Sequence, residues 1–301
     1  IHTNYWQIKE TGRLGSSKIN LQNITNDKLL TPEEREYSIR TGFIAPPGYL
    51  LVAVDFKSFE VAILANASQD PKLVADVLSG VDFHSTIGAI AYHRPYEDLK
   101  NHVDELARTQ RTQIKKTSFL FIYGGGVARA SAVNGIPLQE AEAIKNSIEE
   151  AYPFMVRWRL AVRDKAAQER KAFTLCGRVR RIDPEKAHTT AVNTVCQGTA
   201  ADIMKYGHVD VLEVLRGSKS RQAATIHDEI HFYMHPDDWA LMPKIVECLE
   251  RQRFEAPSFG AATYVPMRVE LSMGPNWGHM TECTVEEIQE KLKCLSTPTP
   301  V

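Results

Sequence analysis

Paired cysteines are missing from this sequence: Cys176, Cys196, Cys248, Cys283 and Cys294 are scattered without any C-x-x-C spacing. That argues against both a zinc site and a disulfide framework, and a reducing compartment is the natural reading. No apolar run approaches the roughly 20 residues of a membrane span. The polar opening IHTNYWQIKE has no signal-peptide anatomy, so a cytoplasmic protein with no membrane partner is expected. Internal repeats are absent too, and bias in composition is confined to the tail STPTPV, whose alternating prolines suggest a disordered end. Nor is there a charge excess: the formal net charge is −1. That excludes little, because nucleic-acid binding needs a basic surface in the right place and not a basic protein.

What is present is enough apolar residue, 43% of 301, to bury a sizeable core in one large domain or two closely associated ones. A β-like run, YLLVAVD, ends at Asp55, and the following SFEVAILANAS reads as helical. A second run, RQAATIHDEIHFYM, reads as a hairpin whose tight turn carries His227, Asp228 and Glu229. Between them lie long helical patterns, from Glu105 to Ile122 and from Pro137 to Arg170, the latter broken at Pro153. The order strand, helical insertion, strand predicts an α+β fold in which a sheet bears the acids. Near the C-terminus, Thr284 and Glu287 form a capping box, and Val285, Ile288, Leu292 and Leu295 make a helical apolar stripe. Such a stripe can pack on its own domain or dock a partner chain.

Two carboxylates delivered from separate strand ends can hold a pair of divalent metals, and Asp55 and Asp228 are the candidates. Either aspartate alone would more often be a cap or a turn residue. Arg111, Lys115, Phe119 and Tyr123 are spaced four apart, so on a helix they lie along one broad face that offers cations and then aromatics. A triphosphate attached to a sugar and a base calls for that combination. The segments ARTQRTQIKK and CGRVRR, the second containing Arg180, are candidate phosphate-facing patches; a solvated helix face or loop is the plain alternative.

These segments carry a resemblance. VDFKSFEVAILA, RTQIKKTSFLFIYGG and IHDEIHF resemble, in order, the three signature motifs of family A DNA polymerases, and further matches run from TGRLGSSKINLQNI to VPMRVELSMGPNW, covering residues 1 to about 279. The resemblance implies a polymerase palm, an antiparallel sheet with helices, carrying an inserted helical fingers subdomain. Palm is expected over 1–70 and 189–283, fingers over 71–188 with the motif helix at 108–123, and a C-terminal helix and tail over 284–301. It implies a DNA-directed DNA polymerase that adds deoxynucleotides from dNTPs to a primer 3′-OH and releases pyrophosphate. Two Mg²⁺ ions would be held by Asp55 and Asp228, with Mn²⁺ as a substitute and Glu229 auxiliary.

By the same resemblance, Arg111, Lys115 and His84 contact the triphosphate, Phe119 packs near the sugar, Tyr123 stacks near the templating position, and Glu60 crowds the place of a ribose 2′-hydroxyl. Arg13, Asn23, Asn193, Gln197, His227 and Arg180 fall on positions that imply contact with primer-template DNA, although turn capping and helix-face hydrogen bonding are the plain readings of the first four. Two departures stand out: Leu120 replaces a glycine common among relatives, and Thr189 replaces an arginine. Family members carry a thumb, and usually an exonuclease domain, before the TGRL motif. Because that motif starts at Thr11, both are expected to be absent, with a separate chain as a candidate source of the missing parts. A bacterial or phage-infected cell is the expected setting, with an organelle as the alternative. Two rivals are a single-subunit RNA polymerase, which Glu60 and Phe119 oppose, and a non-catalytic nucleic-acid-binding relic, which the intact acid pair opposes.

Overall fold

The computed structural model describes residues 3–7, 9–25, 31, 33–34, 37–255 and 262–296; from residue 297 the proline-rich tail lies outside them. The strands are β1 (Asn4–Trp6), β2 (Gly15–Ser17), β3 (Leu50–Phe56), β4 (Lys171–Phe173), β5 (Val179–Arg181), β6 (Arg221–Ile226), β7 (Glu229–Met234), β8 (Val269–Gly274) and β9 (Thr281–Cys283). The helices up to residue 134 are α1 (Phe59–Ser68), α2 (Pro71–Leu78), α3 (Phe83–Ala91), α4 (Tyr96–Asn101), α5 (Glu105–Ile122) and α6 (Val127–Asn134). They are followed by α7 (Leu138–Ala151), α8 (Pro153–Glu169), α9 (Ala187–Asn193), α10 (Thr199–Val214), α11 (Met242–Glu250) and α12 (Val285–Ser296). The chain divides into two compact units, one of residues 1–59, 200–253 and 266–301, the other of residues 60–199 and 254–265.

The first unit is built on a five-stranded antiparallel sheet with strand order β6-β7-β3-β8-β9. β3 reads LLVAVDF and sits between two partners, so its side chains are buried on both faces up to Asp55, as a central strand requires. Leu51, Ile226 and Trp277 form a core cluster with Phe43, Tyr233 and Met280 around it. Arg40 lies over the Trp277 ring at 4.1 Å. Tyr5 spans to the outer strand, its hydroxyl donating to the Thr225 carbonyl at 2.9 Å and accepting from the Thr225 N–H at 3.0 Å. α12 carries the expected capping box, with Glu287 accepting from the Thr284 N–H and Thr284 from the Glu287 N–H. Ile288 and Leu292 are fully buried and Gln289 donates to the Trp239 carbonyl, so the stripe packs on its own unit; Leu295, in the last turn, stays exposed.

Among the described residues, the second unit is built of helices apart from the short β4–β5 hairpin. Asp70 organises it from a position only 1% exposed: one carboxylate oxygen caps α2 through Lys72 and Leu73, and the other accepts the Phe154 and Met155 N–H groups at the start of α8. Pro153 separates α7 from α8, as its missing N–H and fixed φ demand. Asn66 closes another long-range tie, pairing its amide with both backbone groups of Val265. The α+β class expected from the sequence is therefore what the chain adopts.

Candidate active site

In the first unit β3 carries Asp55 to its C-terminal end, where the register places it opposite Glu229 of β7 on one side and Glu270 of β8 on the other. Cross-strand partners project from the same face, so three carboxylates line up across three strands. Asp228 joins them from the two-residue turn between β6 and β7, in which His227 takes a left-handed φ of 58°. The Phe56 N–H donates to the Asp228 carbonyl at 3.4 Å, which seats the turn beside Asp55.

The electrostatic consequence falls on Asp55. Burial first, then the charges of Asp228, Glu229 and Glu270, push its pKa up to about 7, against a small opposing hydrogen bond from Phe56. Its Oδ1 is buried without a hydrogen-bond partner among the described residues. A concentrated negative site with an orphaned carboxylate oxygen suits a divalent cation, which would supply the missing partner and offset the repulsion. Among the described residues no group of three or more His, Cys, Asp or Glu side chains is arranged to share one ion. Of the two acids flanking Asp55, Glu229 accepts a hydrogen bond from buried His231 and Glu270 pairs with Lys57 at 2.8 Å, so both are already engaged. A shallow cleft in the same unit is lined by Arg13, Leu14, Phe59, Met204, His227 and Asp228.

In the second unit α5 runs over the residues expected to be helical, with Asp104 capping its first turn through the Ala107 N–H. Ile114, Thr117, Ser118, Phe121 and Ile122 are buried, Arg111 and Phe119 are half-buried and Lys115 is exposed, so the row Arg111, Lys115, Phe119 runs along the edge of the buried face. Tyr123 is the C-cap, one residue past the last helical one, and its ring stacks with Phe119 at 6.0 Å. The Tyr123 hydroxyl donates to Glu60 at 2.5 Å.

Arg111 is gripped by Asp82, with Nε donating to Oδ1 at 3.2 Å and Nη2 to Oδ2 at 2.9 Å. Lys115 is exposed and has no ion pair among the described residues. His84 is buried, packed edge-on to Phe119 at 5.5 Å, and its Nδ1 shares a hydrogen bond with Ser118 at 3.2 Å. Burial, reinforced by Arg111 and Lys115 against the opposing pull of Asp82, lowers its pKa to about 4, so the imidazole is neutral at pH 7.

The remaining expected residues are spread over both units. Arg13 lines the cleft beside His227, and Asn23 is exposed at the end of a 3₁₀ turn. α9 passes through a π turn, Thr194–Gly198, into α10; from residue 191 to 200 only Asn193 and Gln197 are not buried. Such π turns recur at functional sites. Arg180 is tethered to Thr194 at 3.4 Å and Arg178 to the Gly198 carbonyl at 3.1 Å, so the CGRVRR patch is partly engaged in holding this turn. Leu120 lies against Gly125, and Thr189 donates to the Lys186 carbonyl. Sequence reasoning assigned no role to Glu270 or Asp82. Their signal, an acid in an alternating strand and an acid before a helix, is too common to single out.

Comparison with known proteins places the chain. The family model of DNA polymerase family A matches residues 1–279, and the chain belongs to that family. Among curated relatives, DNA polymerase I of Pseudomonas aeruginosa is 34% identical over 291 residues, which is 92% of this chain and 30% of the relative. The thermostable DNA polymerase I of Thermus aquaticus is 31% identical, over 92% of this chain and 32% of its own length. The chain therefore spans about 30% of the length of these relatives. The polymerase domain of Pol1 from M. smegmatis, solved with a DNA primer-template and dNTP, has a TM-score of 0.79 at 26% identity and covers 92% of this chain and 48% of that one.

Proposed function

We propose that the chain is the catalytic core of a template-directed DNA polymerase, adding deoxynucleoside monophosphates from dNTPs to a primer 3′-OH and releasing pyrophosphate. The observation that carries this is the buried, partnerless Oδ1 of Asp55 among neighbouring carboxylates, in a chain that also presents Arg111, Lys115, Phe119 and Tyr123 along one helix. The first unit acts as palm and the second as fingers. Asp55 and Asp228 would hold two Mg²⁺ ions, which Mn²⁺ could replace, with Glu229, bonded to His231, in an auxiliary place. Bound there, the ions supply Lewis-acid activation of the attacking oxygen and stabilisation of the leaving one.

The protein groups do the rest. Arg111 and Lys115 carry positive charge to the triphosphate, where charge-assisted hydrogen bonds strengthen as negative charge shifts in the transition state. Neutral His84 offers a ring N–H to the same phosphates. Phe119 packs near the sugar and Tyr123 near the templating base, while Glu60, held by Tyr123, occupies the space of a 2′-hydroxyl. Primer-template DNA, the partner present in the M. smegmatis structure, is contacted by Arg13, Asn23, Asn193, Gln197, His227 and Arg180. The bacterial relatives favour the cytoplasm of a bacterial or phage-infected cell as the setting.

The deciding experiment is primer extension with four dNTPs and Mg²⁺ on a DNA template, with a parallel arm in rNTPs. The wild-type chain extends with dNTPs, whereas Asp55→Ala and Asp228→Ala do not, and both variants keep DNA affinity within a few-fold because the acids organise metals and not the duplex. Retention of more than about a tenth of the wild-type rate by either variant, a barrier change of only about 1.4 kcal/mol, would falsify the two-metal role.

A further inference from the structure

Resting on that role for Arg111, we propose that Asp82 is the positioning residue of the triphosphate grip, fixing the plane of the Arg111 guanidinium so that its outer edge faces the phosphates. The hydrogen bonds are one-sided. Asp82 takes Nε and one N–H of Nη2 of Arg111, and Ser85 Oγ takes a second share of Nε at 3.3 Å. Both Nη1 protons and the second proton of Nη2 have no partner among the described residues. A guanidinium clamped along its Nε edge in this way is left with a free fork, the geometry that matches two phosphate oxygens. Arg111 has several rotatable bonds, and holding them before a ligand arrives removes an ordering cost that binding would otherwise carry.

Asp82 is itself rigidly built. Its Oδ1 accepts the Ser85 N–H at 2.8 Å as the N-cap of α3 and the Ser85 hydroxyl at 2.6 Å, and its backbone N–H donates to the Tyr96 hydroxyl at 2.8 Å. The side chains of Asp82 and Arg111 are 23% and 25% exposed, so the pair is shielded while one edge still reaches solvent. Burial disfavours the ionised carboxyl, but the hydrogen bonds from Arg111 and Ser85 and the charge of Arg111 outweigh it, and its pKa ends below the ordinary value. His84, the second residue of α3, belongs to the same helical turn, so one carboxylate orients both the arginine and the helix end that bears the histidine.

Asp82→Asn tests this, because an asparagine still caps α3 while losing the charge and one acceptor toward Arg111. Single-nucleotide incorporation is measured in four chains: wild type, Asp82→Asn, Arg111→Ala and the double variant. Asp82→Asn is expected to lower kcat/KM for a complementary dNTP by about tenfold, the factor typical of losing a hydrogen bond to a charged group. In the Arg111→Ala background the same change is expected to do nothing further, since coupled residues are not additive. An equal loss in both backgrounds would make Asp82 a structural cap only, and a gain on neutralising Asp82 would make the ion pair a competitor of the phosphates; either overturns the proposal. Calorimetric binding of inorganic tripolyphosphate with Mg²⁺ to the same four chains separates this inference from the polymerase reading. A tenfold weakening that depends on Arg111 supports the positioning role even in a chain that fails to extend primers. Asp82-independent binding overturns it in a chain that extends them well.

Discussion

Glu60 and Tyr123 illustrate how a residue's role depends on what holds it. A glutamate in the first turn of a helix is ordinarily a favourable partner of the helix dipole and little more. Here its carboxylate receives the Tyr123 hydroxyl, which limits its rotamers and gives it a definite place. Glu60→Ala is therefore expected to lower the dNTP-to-rNTP preference at least about tenfold by opening room for a 2′-hydroxyl, and Tyr123→Phe, which deletes one hydrogen bond to the carboxylate without removing it, by a smaller factor. Competition between dNTP and rNTP at a single template position measures both. An unchanged ratio in Glu60→Ala would assign the gate elsewhere, and a Tyr123→Phe effect larger than that of Glu60→Ala would mean that Tyr123 discriminates by itself.

The helix α5 shows the same dependence one level up. Its cations and aromatics serve only if its C-terminal end is held, and three contacts hold it: Arg159 donates to the Phe121 carbonyl, Tyr123 caps the helix, and Gly124 turns the chain with φ of +85°. A Cβ on Gly124 would lie 1.9 Å from the His188 carbonyl oxygen, so α9 approaches the turn as closely as glycine permits. Gly135 also has a positive φ, +65°, but faces open space. Gly135→Ala should then cost only the backbone term of about 1–2 kcal/mol, whereas Gly124→Ala adds a backbone clash and should cost clearly more. Urea denaturation of the two variants decides; equal shifts of the midpoint would argue against the close approach. The extent of α5, the hairpin turn at His227-Asp228 and the break at Pro153 were all legible in the sequence, because each is set by local periodicity or by one residue's backbone chemistry. The π turn at Thr194–Gly198 was not, since nothing in TVCQG distinguishes it from an ordinary helical turn.

At the scale of the molecule, a chain of net charge −1 has no bulk attraction for nucleic acid, so the proposed binding of primer-template would have to come from local cations. Affinity is expected to fall linearly in log–log fashion with salt, with a slope of about −0.9 per phosphate neutralised. Arg180→Ala should reduce the magnitude of that slope by about one if the arginine reaches a phosphate in the complex. Fluorescence anisotropy of a labelled duplex across a salt series reads the slope, and an unchanged value would confine Arg180 to its tether on Thr194.

The sequence by itself determined the order of elements, the two acid-bearing strand ends, the helix with its row of cations and aromatics, and the capping box of α12. These follow from interactions within a few residues, which spacing and side-chain chemistry record directly. Tertiary structure alone decided that Glu270 flanks Asp55, that Asp82 grips Arg111 across 29 positions, that His84 is buried and neutral, and that Arg178 and Arg180 hold the π turn. Each of those depends on which distant segment packs alongside. Burial and neighbouring charge, the two terms that set the protonation of Asp55 and His84, exist only once that packing is complete.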